Sequence, residues 1–339
     1  MKSNKWKFLL TGAATLTLLT ACTQASSQSA TKSNTAQTTA TSTSKNKTNN
    51  SNYFTDKDKD TSYDESKAST VKLSGSSASV SGDSVAVSGS TVTISKAGTY
   101  VISGESDGVQ IKVEAGDSDD VHIVLKGVTM TNTNAPISAT KAGHVYLTLA
   151  DGTTNTLSDS SSNNDEDADA VIFSKGDLTI NGSGTLNIDA KKNNGIKAND
   201  TLHITGGTYK ITAVGDAFNV NDELNITGTT MTIDADEDAA NANANQDEIF
   251  FTMNGGTLNV EVGQGDTDPI DSNGNITVTG GTIKLTGQSG FDFDGTATYT
   301  GGDIYINGEK QTEIVNSMPG GGGAPGGGGP QGGGPRGGH

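Results

Sequence analysis

Carboxylates return at matching places in the second half of this 339-residue chain. Aligning the segments that begin at Asn194, Asp216, Asp238, Asp268 and Ser289 makes those five residues a first column. The fourth column then reads Lys197, Asn219, Asn241, Asp271 and Asp292, and the sixth reads Asn199, Asn221, Asn243, Asn273 and Asp294. If the segments stack as neighbouring strands about 4.8 Å apart, a hard cation with oxygen ligands at about 2.4 Å fits between carboxylates of adjacent layers. Without a cation, stacked like charges repel one another. The columns therefore predict calcium ions held by Asp216, Asn219, Asp238, Asn241, Asp268, Asp271, Asp292 and Asp294. The competing reading is a ladder of Asn and Asp that satisfies its own turns and stacks its amides, and for the mostly Asn sixth column that reading is preferred. A zinc centre is excluded by the ligand supply, four histidines with one at the C-terminus and a single cysteine, Cys22.

Catalysis finds less support. A β-eliminating enzyme needs a strong base, and the one arginine, Arg336, lies in a Gly-rich tail. Lys197 is the lysine placed where such a base could sit, with Lys191 and Lys192 just before it, although a solvated surface charge explains it as well. A hydrolase needs two carboxyl groups about 5 to 9.5 Å apart, which Asp271 and Asp292 on successive segments could supply. So many aspartates offer such pairs that the signal has little weight. Trp6, the only tryptophan, precedes the segments, and Tyr209, Phe218 and Phe291 occupy apolar slots. A flat aromatic platform is therefore not expected, and a ligand would be held by cations and polar groups. The net charge of −17 opposes nucleic acid or a bare polyanion, and bound calcium would reverse that locally.

The elements that must position these residues are written repeatedly. Thr185-Leu186-Asn187-Ile188 recurs from Thr208, Thr230, Thr257, Thr282 and, as Asp-Ile-Tyr-Ile, Asp303, at steps of roughly 23, 22, 27, 25 and 21 residues. Before each comes an apolar pair two apart: Leu178/Ile180, Leu202/Ile204, Leu224/Ile226, Phe251/Met253, Ile276/Val278 and Ala297/Tyr299. After it comes the segment that carries the columns. All three parts alternate apolar and polar, which is strand periodicity, and the Gly-Gly and Asn-Gly pairs between them forbid long helices. Three short strands per period predict an all-β right-handed parallel β-helix, whose coils bury a core only by stacking.

In chain order, residues 1–22 read as an export signal with Lys2, Lys5 and Lys7 ahead of a short apolar run. It closes in Leu19-Thr20-Ala21-Cys22, the pattern of a bacterial lipoprotein with Cys22 as the lipidated residue. Residues 23–70, rich in Ser, Thr and Asn, predict a disordered tether with a reach of about 40 Å. Residues 71–317 form the β-helix, the first turns to 118 being an irregular cap. Acidic insertions run from Ser158 to Asp169 and from Asp234 to Glu248, and residues 318–339 predict a disordered Gly/Pro tail.

Longer motifs carry a resemblance. The run from Val121 to Thr129, Asn134-Ala135-Pro136-Ile137, the run from Leu149 to Leu157 and the run from Leu178 to Leu186 resemble the family of bacterial carbohydrate-binding β-helix lipoproteins related in fold to polysaccharide lyases. The resemblance covers about residues 71–310 and implies a pectate-lyase-like β-helix that binds calcium and acidic plant-type polysaccharide. That family writes Asp-Gly-Ile in successive coils. Here the slots read Asn194-Gly195-Ile196, Asp216-Ala217-Phe218, Asp238-Ala239-Ala240 and Asp268-Pro269-Ile270, so the number of calcium sites is left open. The expectation is a monomeric, extracellular carbohydrate-binding protein, lipid-anchored on the outer face of the bacterial membrane, that binds uronate polysaccharide through calcium without turning it over. A lyase or hydrolase on the same polymer, and a calcium-stiffened structural or adhesive spacer, are the alternatives.

Overall fold

The alternating segments stack into a parallel β-helix. The structure, a computed structural model, describes residues 53–242, 250–263 and 267–317. The export signal with Cys22, residues 23–52, Asn243 and the Gly/Pro tail lie outside the described residues.

Each regular coil has three faces. Strands such as Leu178–Gly182 form face 1, Thr185–Ala190 face 2 and Asn194–Ala198 face 3. The repeated phrase is in register on face 2, where Thr185 pairs with Thr208, Thr208 with Thr230, Thr230 with Thr257, Thr257 with Thr282 and Thr282 with Asp303. On face 1, Leu178, Leu202, Leu224, Phe251, Ile276 and Ala297 form one column. The inward columns make a single core that runs the length of the solenoid, with Tyr209, Phe218 and Phe291 fully enclosed. No strand alone could bury its apolar side, so stacking is the source of stability.

In the last coils faces 1 and 2 join as long strands, Phe250–Val262, Asn275–Thr286 and Ala297–Ile306, which bend at Gly-Gly pairs. Gly256 adopts a positive φ of 92°, and a Cβ there would lie 2.4 Å from the Thr229 carbonyl oxygen. Gly256→Ala therefore meets both backbone strain and the coil beneath, and should cost roughly 1–3 kcal/mol in denaturant titration. Gly75→Ala, also at positive φ but facing open space, serves as the strain-only control.

Antiparallel hairpins close the N-terminal end, Ser69–Gly75 with Ser77–Ser81 and Val85–Ser88 with Thr91–Ile94. This is the expected irregular cap, and it removes an open strand edge. At the other end Glu309–Lys310 folds back antiparallel on the last long strand.

One boundary differs from the tether expectation. Residues 53–68 cross the outside of face 1 as an ordered strap. A short helix, Asp56–Lys59, is closed by a capping box between Thr55 and Asp58. Phe54 is buried edge-on to His203, their rings 5.5 Å apart, and Tyr63 and Ala68 cover Val101, Val124 and Ala150. Asp58 is 2% exposed; Thr179 Oγ1 donates to its carboxylate at 2.7 Å and His203 Nδ1 lies 3.2 Å away. Thr179 spends its proton on Asp58, so it receives one from His144 Nε2 at 2.8 Å. Burial alone would raise the Asp58 carboxyl, but the bonds from His203, Thr179 and Thr55 outweigh it and hold the group well below the usual carboxylate range. Asn181 Nδ2 and Thr205 Oγ1 read the strap backbone by donating to the Asp58 carbonyl at 3.2 and 2.6 Å.

Asp58→Ala takes away the acceptor that Thr179 and His203 share, a loss of about 1–3 kcal/mol of strap docking. Trypsin should then cut at Lys57 and Lys59 at least tenfold faster while the β-helix stays intact. Unchanged cleavage would show that the aromatic contacts, the ion pairs and the bonds to the Asp58 carbonyl hold the strap without the carboxylate.

Candidate functional site

The first column lies at the corner between faces 2 and 3, and its side chains bridge coils. Asn194 Oδ1 accepts the Asp216 N–H at 3.2 Å, Asp216 Oδ1 accepts the Asp238 N–H at 3.2 Å, and Asp238 Oδ1 accepts the Asp268 N–H at 2.9 Å. Ser289 Oγ closes the series by donating to Asp268 Oδ1. Each side chain therefore caps the corner of the next coil, which is what the turn-ladder reading expects. Asn194 and Asp216 are 3% and 4% exposed, so this column turns into the corner and not out to solvent.

The fourth column serves the first. Asn219 Nδ2 donates to Asp216 Oδ2 at 2.8 Å, and Asn241 Nδ2 donates to Asp238 Oδ2 at 3.1 Å. In the next two coils the same column carries carboxylates, because Asn241 pairs with Asp271 and Asp271 with Asp292. An amide donor is thus replaced by a further negative charge beside an already acidic corner. The sixth column keeps to turn duty: Asn221 and Asp294 each donate a backbone N–H to the coil before, at Ala198 and Ser272. Asp294 is exposed beyond the corner.

Burial dominates the electrostatics of this stripe. It raises Asp216 to about 7 and Asp238 to about 6, with neighbouring acids adding to the effect. Asp271 is raised to about 7, again by burial first and then by Asp238, Asp292, Asp268 and Asp216. Lys197, at the head of the fourth column, pairs instead with Asp169 at 2.7 Å, while Asn193 Nδ2 donates to the other oxygen of Asp169 at 2.6 Å. The lysine singled out as a possible base is therefore neutralised by the acidic loop that starts at Ser158. Asn241 Oδ1 is buried with no hydrogen-bond partner. Chemically, the stripe can share protons among its carboxyls or take up a hard cation. As they stand, no three His, Cys, Asp or Glu among the described residues are arranged to hold a metal ion.

A second feature was not anticipated. Face 2 carries an open groove of about 440 Å³ lined by Lys210, Thr212, Thr232, Asp234, Asn259, Glu261 and Lys284. Its signal was present in the outward positions of the repeated Thr phrase, which place hydroxyl, amide and ammonium groups in successive coils. Lys210, Thr232, Asn259 and Lys284 form one in-register column. The face 2 strands run directly into the acidic corner, Asp234 standing four residues before Asp238. A chain laid along the solenoid axis would meet repeating polar groups once per coil.

Comparison with known proteins agrees with this geometry. Residues 88–317 match the family described as carbohydrate-binding domain-containing protein. A carbohydrate-binding domain-containing protein from Acetivibrio thermocellus is 36% identical over 125 residues, which cover 35% of this chain and 44% of that relative, so the match spans less than half of its length. The solved structure of the polysaccharide lyase-like protein from C. thermocellum, a gadolinium derivative, superposes with a TM-score of 0.63 at 29% identity. That superposition covers 70% of this chain and 96% of the other. The chain belongs to the carbohydrate-binding domain-containing protein family, built on a polysaccharide lyase-like β-helix.

Proposed function

We propose that the protein binds acidic, uronate-type polysaccharide through calcium held on the face 3 stripe, without catalysis, at the outer surface of a bacterial membrane to which a lipidated Cys22 anchors it. The observation that carries this reading is Asp271, a half-buried carboxylate whose electrostatic neighbours are four more aspartates. Such a group needs a proton or a cation, and near neutral pH a divalent cation supplies more stabilisation.

The donor set fits such an ion at one end of the stripe. Asp271 and Asp292 lie on adjacent coils, Asp238 keeps further lone pairs, and the buried Asn241 Oδ1 is an oxygen without a partner. Asp216 and Asn219 fit less well, because their hydrogen bonds to each other and to the next coil already occupy them. Asp294 is outside the cluster. Calcium held there would supply positive charge that bridges the protein to a uronate carboxylate. The groove on face 2, with Lys210 and Lys284, would hold the hydroxyl groups and remaining carboxylates of the same polymer. Absence of turnover is supported by the Asp169 ion pair on Lys197.

Native electrophoresis of the mature chain through gels containing polygalacturonate, with calcium or with a chelator, tests the proposal. Gels without polymer control for the charge change on metal binding. Retardation that requires calcium and polymer together, with no cleared zone, is the expected result. A cleared zone would make the protein an enzyme. Equal mobility with and without polymer would remove the uronate reading and favour the calcium-stiffened spacer or another sugar.

A further inference from the structure

The strap does more than cross face 1, because it closes one side of a cavity at the corner between faces 1 and 2. This cavity, about 290 Å³, spans three coils and is lined by Lys126, Ala150, Asp151, Thr153 and Ser183, with Thr61 and Tyr63 of the strap as its outer wall. We propose that it is a calcium-independent subsite for one neutral pyranose unit, held against the Tyr63 ring. The inference rests on membership of the carbohydrate-binding family and not on the calcium and uronate reading.

The size and lining set the class of ligand. The volume is at the lower limit of small-molecule sites, which suits one ring and not an oligosaccharide. Tyr63 is half-buried: it packs edge-on against His122 at 6.3 Å and against Val101, Val124 and Ala150, and it also lines the cavity. That is the disposition of an aromatic face that takes the C–H side of a sugar. The polar groups are pre-aligned. Ser183 Oγ donates to Asp151 Oδ1 at 2.6 Å and Thr153 Oγ1 to the Ala150 carbonyl at 2.7 Å, which fixes both hydroxyls and the carboxylate. Among the described residues Asp151 Oδ2 has no hydrogen bond, so it can accept from sugar hydroxyls. Lys126 spends its charge on Glu65 at 2.8 Å but retains donor capacity. With Glu65 and Asp151 against one Lys126, the local balance is negative, which repels a uronate or sulfated sugar and accepts a neutral one.

Saturation-transfer NMR of the full mature chain in a chelator, with methyl pyranosides of glucose, galactose, xylose and rhamnose as probes, tests the site. At least one glycoside should receive saturation, and calcium should not change it. Tyr63→Phe should retain the signal, while Tyr63→Ala and Asp151→Asn should each weaken binding at least tenfold. Asp151 lies outside the strap, so its variant remains informative if Tyr63→Ala loosens the strap. Asp271→Asn should leave the NMR signal intact and act only on the polygalacturonate gels, so the two sites fail separately. No transfer to any glycoside, transfer that needs calcium, or binding unaltered in both Tyr63→Ala and Asp151→Asn would overturn the proposal.

Discussion

Replacing Asp271 by Asn is expected to stabilise the metal-free protein at neutral pH and to remove most of the stabilisation that calcium confers. Burial and four surrounding aspartates raise the Asp271 carboxyl from 3.8 to about 7. Between those values the folded chain holds more protons than the unfolded one, so unfolding free energy falls as pH rises through that window. Asp216 and Asp238, raised to about 7 and about 6, act with the same sign. The three contributions are fully favourable below pH 3.8 and lost as pH climbs through 6 and 7. Asparagine keeps the shape and drops the charge, a gain of roughly 1–2 kcal/mol at pH 7 once partial solvent screening is allowed for. Calcium on the wild type should flatten the same pH profile by compensating the charges. Thermal melts near pH 4 and near pH 7, each with chelator and with calcium, read all of this from two proteins. The buried His122 and His144, lowered by burial, add the opposite slope to both proteins, so a pH profile in chelator that is the same in the wild type and in Asp271→Asn would contradict the electrostatic account. An Asp271→Asn chain with the full calcium shift would place the cation elsewhere.

The repeat was legible because it needs only local information. Thr185 to Asp303 share a register that period-two alternation and a Gly corner define without knowledge of anything distant. The fourth column could be aligned for the same reason, as the pairing of Asn219, Asn241, Asp271 and Asp292 shows. The direction of the first column was harder. Asp216 has the parity of Phe218 and Val220, so the alternation itself carries it to the inner side of the corner, where it serves backbone N–H groups of the next coil. A turn residue that is polar by type and inward by parity is the case in which composition and periodicity disagree.

The strap was illegible for a different reason. Phe54, Asp58 and Tyr63 follow no period, and the segment is otherwise mostly Asp, Lys, Ser and Thr. Its order comes from Thr179, Asn181, His203 and Thr205, all on outward positions more than a hundred residues away. Outward polar residues on a solenoid are the default, so nothing in the local sequence distinguishes those four from solvated ones. Only the stacking of two adjacent coils brings them together as one surface.

Truncating Phe218 to Ala should be the most damaging single change on face 3, and its effect should reach the acidic stripe. Phe218 is fully buried and stands in register between Ile196 and Ala240. Its small neighbour in the next coil cannot expand into the space, so most of the cavity would persist, at a cost of about 3–5 kcal/mol. A solenoid adds its stability from interfaces between neighbouring coils, so the loss is concentrated around coils 196, 218 and 240 and is not shared by the whole chain. Phe218 is two residues from Asp216, whose carboxylate spans to the coil of Asp238. Loosening that coil should therefore speed amide exchange at Asp216, Ala217 and Asp238 well before exchange rises at Val121 or Ile123 near the N-terminal cap. Calcium should recover part of the lost stability if it is held at Asp238 and Asp271, because it ties the slackened coil to its neighbours. Denaturant titration with hydrogen exchange, with and without calcium, separates these effects. Uniform acceleration from the cap to the last coil would show that the solenoid unfolds as one cooperative unit, and the acidic stripe would then owe its geometry to the whole stack and not to the coils on either side.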